Sequence, residues 1–123
     1  MKRLLLLCFL CLPVFAGAAS CEIANKSLCE DAGRGDAMAQ GLLGIKYYLG
    51  EGVKQDYHNA FLWTQKAAEQ GNAKAQWMLG IMYYEGHGVR LDYSQAKEWF
   101  GKSCDNGDQA GCDWYKKLKK SGY

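Results

Sequence analysis

The sequence AMAQGLLGIKYYLGEGV, at residues 37–53, decides the fold, because it returns 36 residues later as AKAQWMLGIMYYEGHGV at residues 73–89. Over the whole period, residues 36–71 and 72–107 are identical at 17 positions, and a third copy begins at Asp108. A period of this length is typical of proteins in which one supersecondary unit stacks on the next. The sequence therefore predicts an array of short repeats.

Each repeat has the features of two antiparallel helices. Residues 37–49 are rich in helix-forming residues, Gly50 and Gly52 end that helix, and Asp56 precedes a second helix at residues 57–70. We predict an all-α fold, a short right-handed α/α solenoid of helix-turn-helix repeats with a disulfide-stapled end.

The length of 123 residues allows one small domain and excludes a multidomain enzyme. With 49% hydrophobic and 23% charged residues, the chain can bury a core. The predicted organisation is a signal peptide at 1–19, an N-terminal capping segment at 20–35, repeats at 36–71 and 72–107, and a C-terminal capping helix, a partial repeat, at 108–123.

The first residues have the order of a secretory signal peptide. Lys2 and Arg3 precede an apolar run from Leu4 to Phe15, and small residues follow at positions 16–19. The run is shorter than a membrane-spanning helix requires, so we expect no transmembrane segment. The predicted location is secreted or periplasmic.

Charge argues against a nucleic-acid partner. Once Lys2 and Arg3 are removed with the signal peptide, basic and acidic residues are equal in number. Four of the remaining basic residues lie at the C-terminal end, so the body of the chain is acidic and offers no basic face. The four are Lys116, Lys117, Lys119 and Lys120.

Four cysteines follow the signal peptide, and an even number in an oxidising compartment favours two disulfides. Three pairings exist; local closure predicts Cys21 with Cys29 and Cys104 with Cys112, each eight residues apart across a chain reversal. An alternative makes Cys21 a lipid-modified N-terminus. The spacing suits zinc poorly, and we expect no metal site and no cofactor.

The pattern A-x-A-Q-x-x-L-G-x-x-Y-x-x-G-x-G-V-x-x-D-x-x-x-A-x-x-W-x-x-K resembles the Sel-one-like repeat, a relative of the tetratricopeptide repeat. Cysteine pairs eight apart resemble the secreted cysteine-rich bacterial branch of that family. The departure is that Ala68 and Gln76 occupy the first junction, where Cys104 and Cys112 occupy the second. The chain therefore resembles a sparse member of that branch, in which only the end of the array is joined by a disulfide.

The residues that differ between the two copies of the first helix fall on one face at 100° per residue. First helices usually line the concave side of a paired-helix solenoid, so this face is the predicted surface for a peptide or partner protein. The alternative is that the capping helices bury the face as core. The predicted binding residues are Met38, Leu42, Lys46, Leu49, Lys74, Trp77, Met78, Met82 and Glu85. Oligomeric state is not predicted.

An enzyme is the competing interpretation. Ser94 and Lys97 match S-x-x-K, in which the lysine activates a serine nucleophile. Penicillin binding has been attributed to the cysteine-rich branch, so the resemblance keeps a penicillin-binding or β-lactamase-type hydrolase as the alternative. No Lys-Thr-Gly or Ser-Asp-Asn motif follows. We therefore expect no catalytic residues. His58 and His87 occupy non-equivalent repeat positions and are expected to be surface residues.

Overall fold

A computed structural model describes residues 25–123, which form six α-helices and no strand. The helices are α1 (Lys26–Gly33), α2 (Ala37–Leu49), α3 (Tyr57–Glu69), α4 (Ala73–Glu85), α5 (Tyr93–Asp105) and α6 (Gln109–Lys120). The predicted signal peptide and Cys21 lie outside the described residues. Within them, no helix is both long and apolar enough to cross a membrane.

Short polar side chains set the start of each helix from α2 onward. The side chains of Asp36, Asp56, Asn72, Asp92 and Asp108 each accept a hydrogen bond from a backbone N–H in the first turn of the helix that follows. At the other end, the predicted stop signals act at α2 and α4, where Gly50 and Gly86 adopt the left-handed conformation that lets the chain turn.

Successive helices pack as hairpins that stack along the chain. Helices α2 and α3 form one hairpin, α4 and α5 form the next, and α6 packs on α5 and reaches α4. One core cluster contains residues of α1, α2, α3 and α4 around Leu43 and Leu79. A second contains residues of α5 and α6 around Phe100 and Leu118. The prediction of an all-α solenoid is confirmed.

At each of three junctions along the chain, a side-chain bond at the same repeat position links the end of one helix to the start of the next. Gln40 Nε2 donates to the carbonyl oxygen of Ala32 at 3.1 Å, and 36 residues later Gln76 Nε2 donates to that of Ala68 at 3.0 Å. At the third junction a disulfide joins Cys104 to Cys112, as local pairing predicts. Buried amide-to-carbonyl hydrogen bonds therefore take the place of the missing cysteines at the earlier junctions. Cys29 is also disulfide-bonded.

Candidate functional site

An apolar groove of about 410 Å³ lies between α2 and α4, the first helices of the two repeats. Helix α2 supplies Met38, Leu42 and Ile45, and α4 supplies its first turn with Trp77 and Met78. Thr64 of α3 forms part of the lining. We call this the α2–α4 groove. Among the lining residues that the structure describes, Lys74 alone is charged.

The groove exists because the first repeat carries small residues where the second carries aromatic ones. Gly41 of α2 lies at the repeat position of Trp77, and Thr64 lies at that of Phe100. Helix α6 contacts α4, whereas α2 and α4 have at most a marginal contact among the described residues. The space that the second repeat fills is therefore open in the first.

Exposed apolar side chains continue along α2 beside the groove. Met38 is 70% exposed, Leu42 is 48% exposed and Leu49 is 57% exposed, and their spacing places all three on one side of the helix. Single exposed apolar residues are ordinary, but an apolar row beside an apolar groove is typical of an interaction surface.

Two buried polar atoms, each in a residue that lines the groove, have no hydrogen-bond partner among the described residues. They are Thr64 Oγ1, in a residue that is only 1% exposed, and the indole Nε1 of Trp77. Leaving such groups unpaired costs free energy, because their hydrogen bonds to water are lost on folding and not replaced.

The structure brings five of the nine predicted binding residues together in the groove. These are Met38, Leu42, Lys74, Trp77 and Met78. Leu49 and Glu85 are exposed and Lys46 is half-buried, but none of the three lines the groove.

Met82 was wrongly predicted to be a surface residue. It is 0% exposed and belongs to the core cluster that joins α1 to α4. The angular pattern places Met82 on the variable face of α4, but the neighbouring helices cover that part of the face. The predicted binding residues do not include Thr64, because it lies on a second helix and the prediction rests on the first helices. The exchange of Thr64 for Phe100 is nevertheless visible when the two repeats are aligned.

The residues of the predicted hydrolase motif, Ser94 and Lys97, both lie near the start of α5. Ser94 is exposed in the first turn of α5, and no hydrogen bond joins it to Lys97 in the described structure. The Lys97 ammonium instead donates to the carbonyl oxygen of Tyr123 and lies 5.8 Å from the ring centroid of Tyr115. Among residues 25–123 there is also no cluster of three or more His, Cys, Asp or Glu side chains suited to a metal ion.

A second group of side chains joins the two repeats away from the groove. The Tyr48 hydroxyl lies 3.1 Å from Glu85 Oε2 and 2.8 Å from His87 Nδ1, and the His87 ring stacks on Tyr57 with centroids 4.3 Å apart. Burial, the hydrogen bond to Glu85 and its negative charge raise the pKa of Tyr48 to about 12. His87 is therefore a contact between repeats, which the sequence did not indicate.

The solved structures that resemble this chain include the following three. A Sel1 repeat protein from Oxalobacter formigenes matches with a TM-score of 0.72 and 42% identity, over 74% of this chain and 26% of that one. The protein c5321, a protective antigen of uropathogenic Escherichia coli with an SLR fold, matches at 0.68 and 32% identity, over 78% and 25%. Cysteine rich protein B of Helicobacter pylori matches at 0.67 and 28% identity, over 70% and 65%.

The chain thus spans about a quarter of the length of the first two proteins and 65% of the third. No curated protein matches it. The model of the Sel1 repeat matches at residues 37–72 and again at residues 73–108, which together make up more than half of the chain. With the two helical hairpins described above, these matches establish that the chain belongs to the Sel1 repeat family.

Proposed function

We propose that this protein is an extracytoplasmic interaction module that binds an apolar segment of a partner protein in the α2–α4 groove. Sel1 repeat proteins are protein–protein interaction modules. The groove itself supports this location of the binding surface, because it is an open apolar space beside a row of exposed apolar residues on α2. A groove of this size accepts a few side chains of a partner.

The proposed location rests on the cysteines and on the first residues of the sequence. Disulfides persist in oxidising compartments and are rare in the cytoplasm of mesophiles. The chain holds a disulfide between Cys104 and Cys112, Cys29 is disulfide-bonded, and one structural relative is a cysteine-rich protein. Residues 1–19 have the order of a signal peptide. Secretion or export to a periplasm accounts for both features.

The test is capture of a partner by oxidised protein carrying two substitutions in the groove, Met38→Glu and Leu42→Glu. Met38 is 70% exposed and Leu42 is 48% exposed, so the variant should fold with nearly unchanged stability while the groove becomes acidic. Met82→Glu is unsuitable, because it would place a charge in the core. The matched control is Leu62→Glu with Leu91→Glu, two residues 40% and 48% exposed that do not line the groove.

The proposal predicts that wild type and control capture the same protein from the envelope and secreted fractions, and that the groove variant does not. Circular dichroism must show that both variants keep the helical content of wild type. A partner retained equally by the groove variant would place the binding surface elsewhere. Failure of folded wild-type protein to capture any partner would count against the module itself.

A further inference from the structure

The two repeats place different side chains over the same glycine. A Cβ atom on Gly80 of α4 would lie 2.5 Å from the Phe100 ring, and a Cβ atom on Gly44 of α2 would overlap Thr64 Oγ1. Phe100 and Thr64 are 36 residues apart and occupy the same position in their repeats. Each therefore packs directly against the first helix of its own hairpin.

In the second repeat, aromatic rings fill the space next to this position. Phe100 is 0% exposed and stacks on Trp114 of α6 with ring centroids 5.3 Å apart, and Trp77 packs against the same cluster. One period of 36 residues earlier, the corresponding residues are Thr64, Met78 and Gly41, and all three line the α2–α4 groove. The second repeat thus shows that this kind of space accommodates an aromatic ring.

Lys74 is the one charged side chain among the described residues that line the groove, and its ammonium can only donate. The side chains of Thr64 and Asn72 can donate and accept, and the indole N–H of Trp77 is buried. The backbone N–H groups of Ala73 and Lys74, in the first turn of α4, also have no acceptor within the described structure. Lys74 and the positive end of α4 favour a negative charge on the ligand.

From these two observations we infer that the α2–α4 groove receives an aromatic side chain of the partner protein, with an acidic residue next to it in the partner's sequence. The ring takes the space that Phe100 fills in the second repeat, and the carboxylate lies near Lys74. This inference rests on the proposed function and adds to it the chemistry of the bound segment.

Three blocked peptides test the inference: acetyl-Gly-Phe-Glu-Gly-amide, the same peptide with Gln for Glu, and the same peptide with Leu for Phe. The readout is the indole ¹H–¹⁵N signal of Trp77, which the variant Trp77→Phe assigns among the four tryptophans. The Phe-Glu peptide should shift this signal saturably. The Leu-Glu peptide should bind about threefold to tenfold more weakly, and the Phe-Gln peptide roughly twofold to fivefold more weakly.

The decisive variant is Thr64→Phe, which fills the groove as Phe100 fills the equivalent space over Gly80. It should abolish the shift, whereas Thr64→Val leaves the space open and should keep it. Gly41→Trp provides a second way to fill the groove if Thr64→Phe does not fold, because a Cβ atom at Gly41 meets only ordinary contact, 3.8 Å from Ala67 Cβ.

Equal binding of the Leu and Phe peptides, a shift that persists in folded Thr64→Phe, or no shift at all would overturn the inference. These results leave the proposed function standing if partner capture still depends on Met38 and Leu42. Loss of that dependence would overturn the proposed function instead. The peptide experiment can therefore overturn the inference without overturning the proposed function, which the capture experiment tests.

Discussion

The hydroxyl of Tyr48 lies 2.8 Å from Nδ1 of His87, and this contact joins the end of α2 to the loop that follows α4. Glu85 accepts a hydrogen bond from the same hydroxyl at 3.1 Å. The equivalent position of His87 in the third, partial repeat is Tyr123, whose ring lies 4.9 Å from that of Tyr93. An aromatic contact at this repeat position therefore occurs both between the two full repeats and between the second repeat and the partial third. Within the described residues, the polar contact occurs between the two full repeats alone.

We predict that Tyr48→Phe lowers the free energy of unfolding at neutral pH by about 1 kcal/mol, the usual net value of a hydrogen bond. The change should also flatten the dependence of stability on alkaline pH. The pKa of Tyr48 is raised to about 12, chiefly by burial and then by Glu85, while an unfolded tyrosine ionises near 10. Between these values the unfolded chain has lost the proton that the folded chain still holds, so stability falls as pH rises.

Urea unfolding at pH 8.5 and pH 11 measures this difference. Wild type should lose more stability between the two pH values than Tyr48→Phe does. Tyr84→Phe is the matched control, because Ser121 occupies the position of Glu85 there. A pH dependence that Tyr48→Phe leaves unchanged would contradict the assignment.

A second prediction concerns acid. The backbone N–H of Asn59 donates to Asp56 at the start of α3, and this bond, more than the side-chain amide of Asn59, lowers the pKa of the carboxyl group. Because the folded pKa is depressed, the contribution of Asp56 to stability is present above about pH 4 and is lost as pH falls through the folded value. Replacing the carboxylate with an amide should remove that loss.

The variant Asp56→Asn should match wild type at pH 7 within a few tenths of a kcal/mol, because Asn and Asp are equally good N-caps. Asn72 caps α4 in the same way. At pH 3 the variant should be more stable than wild type. Asp56→Ala, which removes the cap, should cost about 1 kcal/mol at pH 7. Thermal unfolding at both pH values decides the matter, and identical acid sensitivity of wild type and Asp56→Asn would refute it.

The positions of the helices could be predicted because local signals agree with the repeat. Each helix of the two full repeats follows an Asp or Asn that caps it, and Gly50 and Gly86 end α2 and α4. Helix α1 had no repeat to support it and was predicted only as part of a capping segment. Local signals and periodicity together thus sufficed for the fold.

The candidate site could be predicted only in part, because a helical pattern gives the direction of a side chain but not what covers it. Met38 and Met82 both lie on the variable face of their helices, yet the first is 70% exposed and the second is in the core. The open space at Thr64 depends on residues of three helices, so no single helix reveals it. Comparing the repeats at Thr64 and Phe100 would have located it.

A third prediction contrasts two glycines at the centres of equivalent helices. Gly41→Ala should raise the free energy of unfolding by about 0.5 to 1 kcal/mol, since alanine favours helix and its Cβ meets only Ala67 Cβ, at 3.8 Å. Gly80→Ala should lower it by roughly 1 to 3 kcal/mol, because its Cβ would lie 2.5 Å from the ring of Phe100. Denaturant unfolding of the two single variants measures both effects, and equal effects would contradict the packing described.

The last prediction concerns the bond between Cys104 and Cys112, which holds the start of α6 against the end of α5. A loop of eight residues implies that removing the bond, by Cys104→Ala with Cys112→Ala, lowers the free energy of unfolding by roughly 2 to 3 kcal/mol. The double variant isolates this bond, because the disulfide of Cys29 remains. Gln76→Ala, which removes the buried hydrogen bond to Ala68 at the previous junction, should cost about 1 to 3 kcal/mol.

Because Trp114 lies on α6 and stacks on Phe100, loosening α6 should also weaken the near-ultraviolet circular dichroism of the tryptophans in the double variant. The α2–α4 groove contains no residue of α5 or α6, so binding of a partner there should persist in the double variant at temperatures where it remains folded. Loss of binding together with the Trp114 signal would show that the end of the array supports the groove. Retained binding with a weakened signal is the result expected of an array whose repeats contact only their neighbours.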